Sequence, residues 1–403
     1  MTKRQPQPAS TPTVLVVGQT PPPTHGQAVM IELLLKSQMQ RVRLRHVRMT
    51  FSDGIEEVGR FRLAKLGRLL GLVLRIVYAR FAYGATALYY PPAGPNRTPL
   101  YRDMVVLIAT RWLFRRTVFH MQASGVSELY PRLNAVERWL FRRAYGRPDL
   151  VIRLSEATAP DDVCFHAKRV AFIANATPDL AFRTDPQTPR CGPLRLLYVG
   201  NVCESKGAPL LIDAVAELAQ RGVAVELRIV GAFMPAGLEG VLRSAIASAG
   251  LGDRVTLCGP KYGADKLDEL IRADVFCFPT HYESEAFPCV LVEAMSFGLP
   301  VVATRWRGVP SIVDEGQTGL LCPTHDPAAI ADAIERLAGS PELRSQMGAA
   351  GREKYERCYT VDRYHRRMEE ALAGVCEPAA PRGAHAAGPV LAAGGDSNME
   401  LAR

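Results

Sequence analysis

The segment that decides the fold reads His281-Tyr-Glu-Ser-Glu285-Ala286-Phe287-Pro288-Cys-Val-Leu-Val-Glu293-Ala-Met-Ser-Phe-Gly298-Leu-Pro-Val-Val-Ala-Thr304. Seven residues separate Glu285 from Glu293. Pro288 suits a first helical position, where the missing N–H costs nothing, and Gly298 suits a helix end. Leu299 to Thr304 then reads as a buried strand. The pattern is a loop that enters a helix and returns through a parallel strand, a unit of α/β architecture. A helix N-terminus offers unpaired N–H groups and about half a unit of positive charge, which suits a phosphate or pyrophosphate. Carboxylates cannot hold that anion themselves. Glu285 in the loop and Glu293 on the helix are better suited to hydroxyl groups, such as those of a sugar and a ribose. A pair of glutamates alone would equally fit an ordinary amphipathic helix with one solvated acid, so the surrounding sequence has to decide.

Outward from this segment, short apolar strands alternate with helical patterns. Residues 194–199, 225–230, 255–257 and 275–278 read as strands, with helices at 208–219 and 238–249. Helices follow at 327–338, 341–358 and 362–375. The N-terminal half shows the same alternation, with strands at 13–18, 87–90, 116–122, 150–154 and 169–173, and a helix at 28–36. Two successive series of this kind predict two doubly wound α/β domains. The expected boundaries are a flexible N-terminus (1–12), an N-terminal domain (13–182), a Pro-rich linker (183–193) and a C-terminal domain (194–359). A helix at 360–376 is expected to cross back to the first domain. The Pro-, Ala- and Gly-rich stretch 377–403 reads as a disordered tail.

The 403 residues carry a net charge of +9, and that charge is unevenly placed. Residues 1–180 hold 26 Lys and Arg against 12 Asp and Glu, while the remainder holds 23 against 28. The first half therefore suits an anionic partner, with nucleic acid and anionic lipid as the two candidates. Within it, the stretch 60–80 places Arg62, Lys65, Arg68, Arg75 and Arg80 on one helical arc and leaves the opposite arc uncharged. Such a helix either lies in a membrane interface or packs on its own sheet with a solvated basic face. The hexapeptide Arg-Trp-Leu-Phe-Arg-Arg occurs at 111–116 and 138–143, each copy read as a helix end. Nine cysteines are scattered with no metal-ligand spacing and fit small buried residues in a reducing cytosol. No signal peptide or membrane-spanning run is visible, so the expected location is cytosolic or peripheral on the inner face of a membrane.

Together the glutamate pair and its setting resemble the retaining glycosyltransferases of family 4, of the bacterial surface-polysaccharide type, which have the two-domain GT-B fold. The likeness continues through Gly298-Leu-Pro-Val-Val-Ala-Thr304, Gly308-Val-Pro310 and Asp314-Glu-Gly-Gln-Thr-Gly-Leu-Leu-Cys322. Pro22-Pro-Thr-His25-Gly26-Gln27 resembles the family's first loop, and Ala174-Asn175-Ala-Thr-Pro178 its hinge motif. The resemblance implies two Rossmann-like domains facing a cleft, and transfer of a sugar from a nucleotide-sugar to an acceptor hydroxyl with retained configuration. A lipid-linked glycan acceptor would account for the basic first half. It implies that Glu285 contacts the donor sugar, Glu293 the ribose, and Lys206 the pyrophosphate, where a fixed cation favours departure of the charged leaving group. Gly26, Gln27, Ala286, Phe287 and Lys261 would complete the donor site, and His120 would stand near the reacting sugar. With Lys206 and a helix N-terminus carrying the charge, no metal or other cofactor is expected.

Two positions depart from the family pattern. Asn201 stands where the family usually has a second cation, and strict alignment puts Gln122 where its histidine falls. His120 and Gln122 share a strand face, so either could line the cleft. Rival readings are a sugar-nucleotide epimerase of the same architecture and a degenerate binder without turnover. Nucleoside diphosphate released only with acceptor present would separate transfer from both. Nucleic-acid binding lacks a motif. A nicotinamide enzyme is disfavoured, because the loop after Gly18 has no Gly-x-Gly-x-x-Gly.

Overall fold

The computed structural model describes residues 11–22, 25–49, 63–180 and 192–377. The expectations for most of the linker, the start of the basic stretch at 60–62 and nearly all of the tail lie outside these residues. The chain forms two compact units. One comprises residues 1–156, 160–173 and 365–403, and the other 157–159 and 174–364.

In the first unit the elements run β1 (Thr13–Gly18), α1 (Gly26–Leu35), β2 (Arg43–Arg48), α2 (Leu63–Ala82), β3 (Ala87–Tyr90) and α3 (Arg97–Thr110). They continue through β4 (Arg116–His120), α4 (Val126–Leu129), α5 (Ala135–Tyr145), β5 (Leu150–Arg153), α6 (Asp161–Phe165) and β6 (Val170–Phe172). The strands form one parallel sheet in the order β2-β1-β3-β4-β5-β6. Strands β3 and β5 are buried on both faces, as a parallel sheet covered by helices requires. Right-handed crossovers then put α1 on one face and α2, α3 and α5 on the other. The core on that second face joins Leu72, Ile76 and Ala79 of α2 to Leu88, Phe119, Phe141 and Phe165.

The second unit repeats the plan. Its elements are β7 (Leu194–Val199), α7 (Ala208–Gln220), β8 (Val225–Val230), α8 (Leu238–Ser248), β9 (Val255–Gly259) and α9 (Gly263–Arg272). Then come β10 (Val275–Phe278), α10 (Cys289–Ser296), β11 (Val301–Thr304), β12 (Gly319–Cys322), α11 (Pro327–Ala338) and α12 (Pro341–Cys358). The parallel order is β12-β11-β10-β7-β8-β9. A last helix, α13 (Val361–Cys376), starts in this unit and belongs to the first from His365 onward. Its His365 ring bonds the Leu33 carbonyl at 2.9 Å, and Glu369 accepts the Arg41 N–H at 2.6 Å.

Two strands were not anticipated, β2 and β12, and both are sheet edges. An edge strand needs less apolar sequence, so the arginines of Arg-Leu-Arg-His-Val-Arg in β2 are tolerated on its exposed side. Pro288 is not the first helical residue. It is extended at ψ 100° and caps α10, which starts at Cys289. Of the two hexapeptide copies only the second lies in a helix; the first makes a 3-10 turn at Arg111–Leu113 and enters β4.

Candidate functional site

In an open parallel sheet, ligands bind beyond the carboxyl ends of the strands, where the strand order reverses. In the second unit that point lies between β7 and β10. Lys206 follows β7 and Glu285 follows β10, and the two side chains meet there, Nζ to Oε2, at 2.5 Å. The turn that delivers Lys206 requires glycine. Gly207 has φ +83°, and a Cβ there would sit 2.0 Å from the Pro279 carbonyl oxygen. On the other side, Gly308 packs so closely beneath Ala286 that a Cβ would lie 1.8 Å from its carbonyl. Both loops are therefore set by backbone contact.

Glu285 is buried and also accepts the Thr280 hydroxyl at 3.2 Å. Thr280 is itself tied down, its carbonyl accepting the Thr304 hydroxyl. The His281 N–H donates to the Ser205 carbonyl at 2.8 Å and so joins the β10 loop to the lysine loop. The Lys206 ammonium lies 4.6 Å from the Tyr282 ring centroid, a cation–π arrangement. A half-buried cation and a buried anion with few other partners form a strong pair without ligand, and each can exchange its partner for a ligand of matching charge or hydroxyl content.

Glu293 is the fifth residue of α10 and faces α9, where Lys266 Nζ stands 2.6 Å from its Oε2. That contact is an ion pair by distance, but the buried Oε2 lacks a well-aligned hydrogen bond. Ala286 and Phe287 are buried between the pair and α10, with Phe287 edge-on to Tyr359. Asn201 is exposed on the β7 loop, its carbonyl accepting the Tyr198 hydroxyl at 2.9 Å. Lys261 bonds Glu269 at 2.5 Å, and Arg228 grips the same carboxylate at 2.6 and 2.7 Å. Hydrogen bonds from Arg228 chiefly, then Lys261, pull the Glu269 pKa down to about 2 against the opposing effect of burial. Lys261 thus stands in a structural trio of charges.

In the first unit His120 is fully buried at the end of β4. Its Nδ1 meets the Tyr89 hydroxyl at 2.6 Å, and its Nε2 meets the Gln122 amide nitrogen at 3.1 Å. Burial lowers the His120 pKa to about 3, so the ring is neutral near pH 7. With the amide donating to Nε2, the ring proton sits on Nδ1 toward Tyr89. Both ring nitrogens are thus engaged, and Gln122 is the half-buried group of the two. Gly26 and Gln27 open α1, whose N-cap His25 accepts the Ala28 N–H at 3.3 Å through Nδ1. Among the described residues, apart from its chain neighbours and its own helix backbone, no atom lies within 4 Å of a Cβ built on Gly26.

The structure brings Lys206 and Glu285 into contact and sets Glu293 on the adjoining helix; His120, Gly26 and Gln27 belong to the other unit. The sequence gives no site role to Thr280, Lys266 or Tyr89, although Tyr89-Tyr-Pro-Pro-Ala-Gly94 belongs to the stretches that resemble bacterial surface-polysaccharide transferases. For Thr280 the available signal was its place just after β10 at the strand-order reversal. Among the described residues, no group of three or more His, Cys, Asp and Glu is arranged to hold a metal ion.

Two doubly wound parallel sheets of this topology define the GT-B fold. Residues 185–354 match the family model described as Glycosyl transferases group 1. The chain is 35% identical over 158 residues to D-inositol 3-phosphate glycosyltransferase of Corynebacterium diphtheriae, covering 38% of this chain and 36% of that protein. It is 33% identical over 184 residues to the amylovoran biosynthesis glycosyltransferase AmsK of Erwinia amylovora, covering 45% and 44%. The matches thus span less than half the length of either relative. Among solved structures, Anabaena HepE in complex with UDP-glucose superposes with a TM-score of 0.67 at 20% identity, covering 90% of this chain and 99% of that one.

Proposed function

We propose that this protein is a retaining glycosyltransferase that moves a sugar from a nucleotide-sugar to an acceptor hydroxyl, on a lipid-linked glycan in surface-polysaccharide synthesis. The observation that carries the reading is the Lys206–Glu285 pair at the β7/β10 reversal. On donor binding, Lys206 leaves Glu285 for the pyrophosphate, whose charge grows as the sugar departs. Glu285 is then free to accept the sugar's hydroxyls, and Glu293, held by Lys266, accepts those of the ribose. The α10 N-terminus adds its partial positive charge behind the phosphates. The acceptor attacks from the leaving-group face, and a donor phosphate oxygen takes its proton, so no side-chain nucleophile is required. The names of the relatives and the UDP-glucose bound to HepE support a nucleotide-sugar donor.

A thermal-shift panel of UDP, GDP, ADP and CDP tests the donor site. The matching nucleotide at about 100 times its dissociation constant stabilises the native state by about 2.7 kcal/mol. No shift with any of the four would refute the reading. Lys206→Met should cut kcat by roughly 100-fold or more, the scale for losing one preorganised charge partner of a leaving group. A chelator should leave turnover unchanged; its loss would overturn metal-independent transfer. The enclosure of His120 favours a second reading, nucleotide-sugar binding without turnover. Retained nucleotide binding with no product on any lipid-linked acceptor would decide for it.

A further inference from the structure

The outward face of α2 is apolar. Leu70, Leu74, Tyr78 and Phe81 follow one another at helical spacing and are 59–71% exposed. The same helix buries Leu72, Ile76 and Ala79 against the sheet, on the opposite arc. Arg68, Arg75 and Arg80 lie on the flanks between the two stripes. The basic arc read from the sequence is therefore not a solvated outer face: it contains the core-facing stripe, and the uncharged arc points outward. A helix apolar on both sides is expected only where something other than water covers the second side.

The neighbouring helices extend this surface. The ends of α2, α3 and α5 are stitched together, Arg80 Nε donating to the Leu113 carbonyl at 2.9 Å and Arg111 to the Ala144 carbonyl at 2.9 Å. Trp112, in the turn after α3, is 75% exposed, and Trp139 of α5 is largely exposed as well. Helix α2 contains no Asp or Glu. The single acids of α3 and α5, Asp103 and Glu137, are both buried and paired with Arg102 and Arg97. Exposed charge on these three helices is thus all positive.

We propose that this α2–α3–α5 face docks on an anionic lipid bilayer, with the α2 stripe and the two tryptophans entering the headgroup boundary and the arginines pairing with lipid phosphates. Outward apolar residues flanked by arginine, tryptophan at the rim and no exposed acid match what an interfacial helix requires. A second protein copy would leave same-sign arginines facing one another, which disfavours it as the occupant. The inference stands apart from the catalytic reading, because binding to lipid is measured without donor or acceptor.

The test is co-sedimentation of the full chain with vesicles of phosphatidylcholine alone or mixed with phosphatidylglycerol. The wild type should bind the mixed vesicles, and added salt should weaken binding. The combined variant Leu74→Ser, Tyr78→Ser and Phe81→Ser should lose at least roughly tenfold in affinity. Arg68→Gln with Arg75→Gln should lose roughly fivefold per arginine, and only on anionic vesicles. Val163→Ser, at an exposed apolar residue on α6, should change nothing. These positions are surface-exposed, so the variants should keep the wild-type circular dichroism. A wild type that ignores anionic vesicles, or a triple variant that binds them equally, overturns the proposal. So does a wild-type dimer that the triple variant makes monomeric while no lipid binding is seen.

Discussion

His120 carries a pH signature that a solvent-facing histidine would lack. Its ordinary pKa of 6.5 falls to about 3 in the fold because burial excludes the charged ring. Between those values the unfolded chain binds a proton that the folded chain does not. The histidine's contribution to stability is therefore complete above about pH 6.5 and shrinks by roughly 1.4 kcal/mol per pH unit below it. His120→Gln should be less stable than wild type at pH 7. Its deficit should narrow by about that amount per unit as urea unfolding is repeated from pH 6.5 down to 5. A deficit independent of pH would mean that the folded ring can be protonated. From the sequence the strand was legible, but it ends at His120, and Gln122 lies in the bend beyond it. The Tyr89 hydroxyl that closes the other side of the ring was not legible, because it comes from β3, 31 positions away.

At the scale of elements, the sequence marked the strongly apolar strands and the helix-ending glycines, and it missed β2 and β12, one edge strand of each sheet. Period alone could show that α2 has a charged and an uncharged arc, but not which one meets the sheet. Packing decides that: Leu72, Ile76 and Ala79 are spaced to fill the core between the arginines. The Lys206–Glu285 contact was illegible for a related reason, since its partners stand 79 positions apart and meet only through the strand order. The joint between β8, the β9 loop and α9 rests on Glu269 with Arg228 and Lys261. The Glu269 pKa falls from 4.5 to about 2, so its stabilisation is full above about pH 4.5 and lost as pH drops toward 2. Glu269→Gln should cost on the order of 3 kcal/mol at pH 7 and progressively less below pH 4.5, measured by chemical denaturation. A neutral effect at pH 7 would show that the two cations are satisfied by solvent.

On the scale of the molecule, the second unit is inserted between α6–β6 and the helix that completes the first. Met368, Leu372, Ala373 and Val375 of α13 are buried, so ending the chain after Tyr364 should destabilise the first unit by at least roughly 4 kcal/mol. Hydrogen exchange should then lose protection in α1 and β2 while the second unit's sheet keeps its own. Equal loss in both would contradict the division. The insertion also sets a clock. During synthesis, the parts of the first unit up to residue 173 are made first, and residues 174–364 are made before His365. At the usual pace of translation that interval lasts roughly ten to forty seconds. Throughout it, the surface of α1 and of the loop before β2 that receives His365 and Glu369 stands uncovered, so a newborn chain must keep that surface from binding elsewhere until α13 is made.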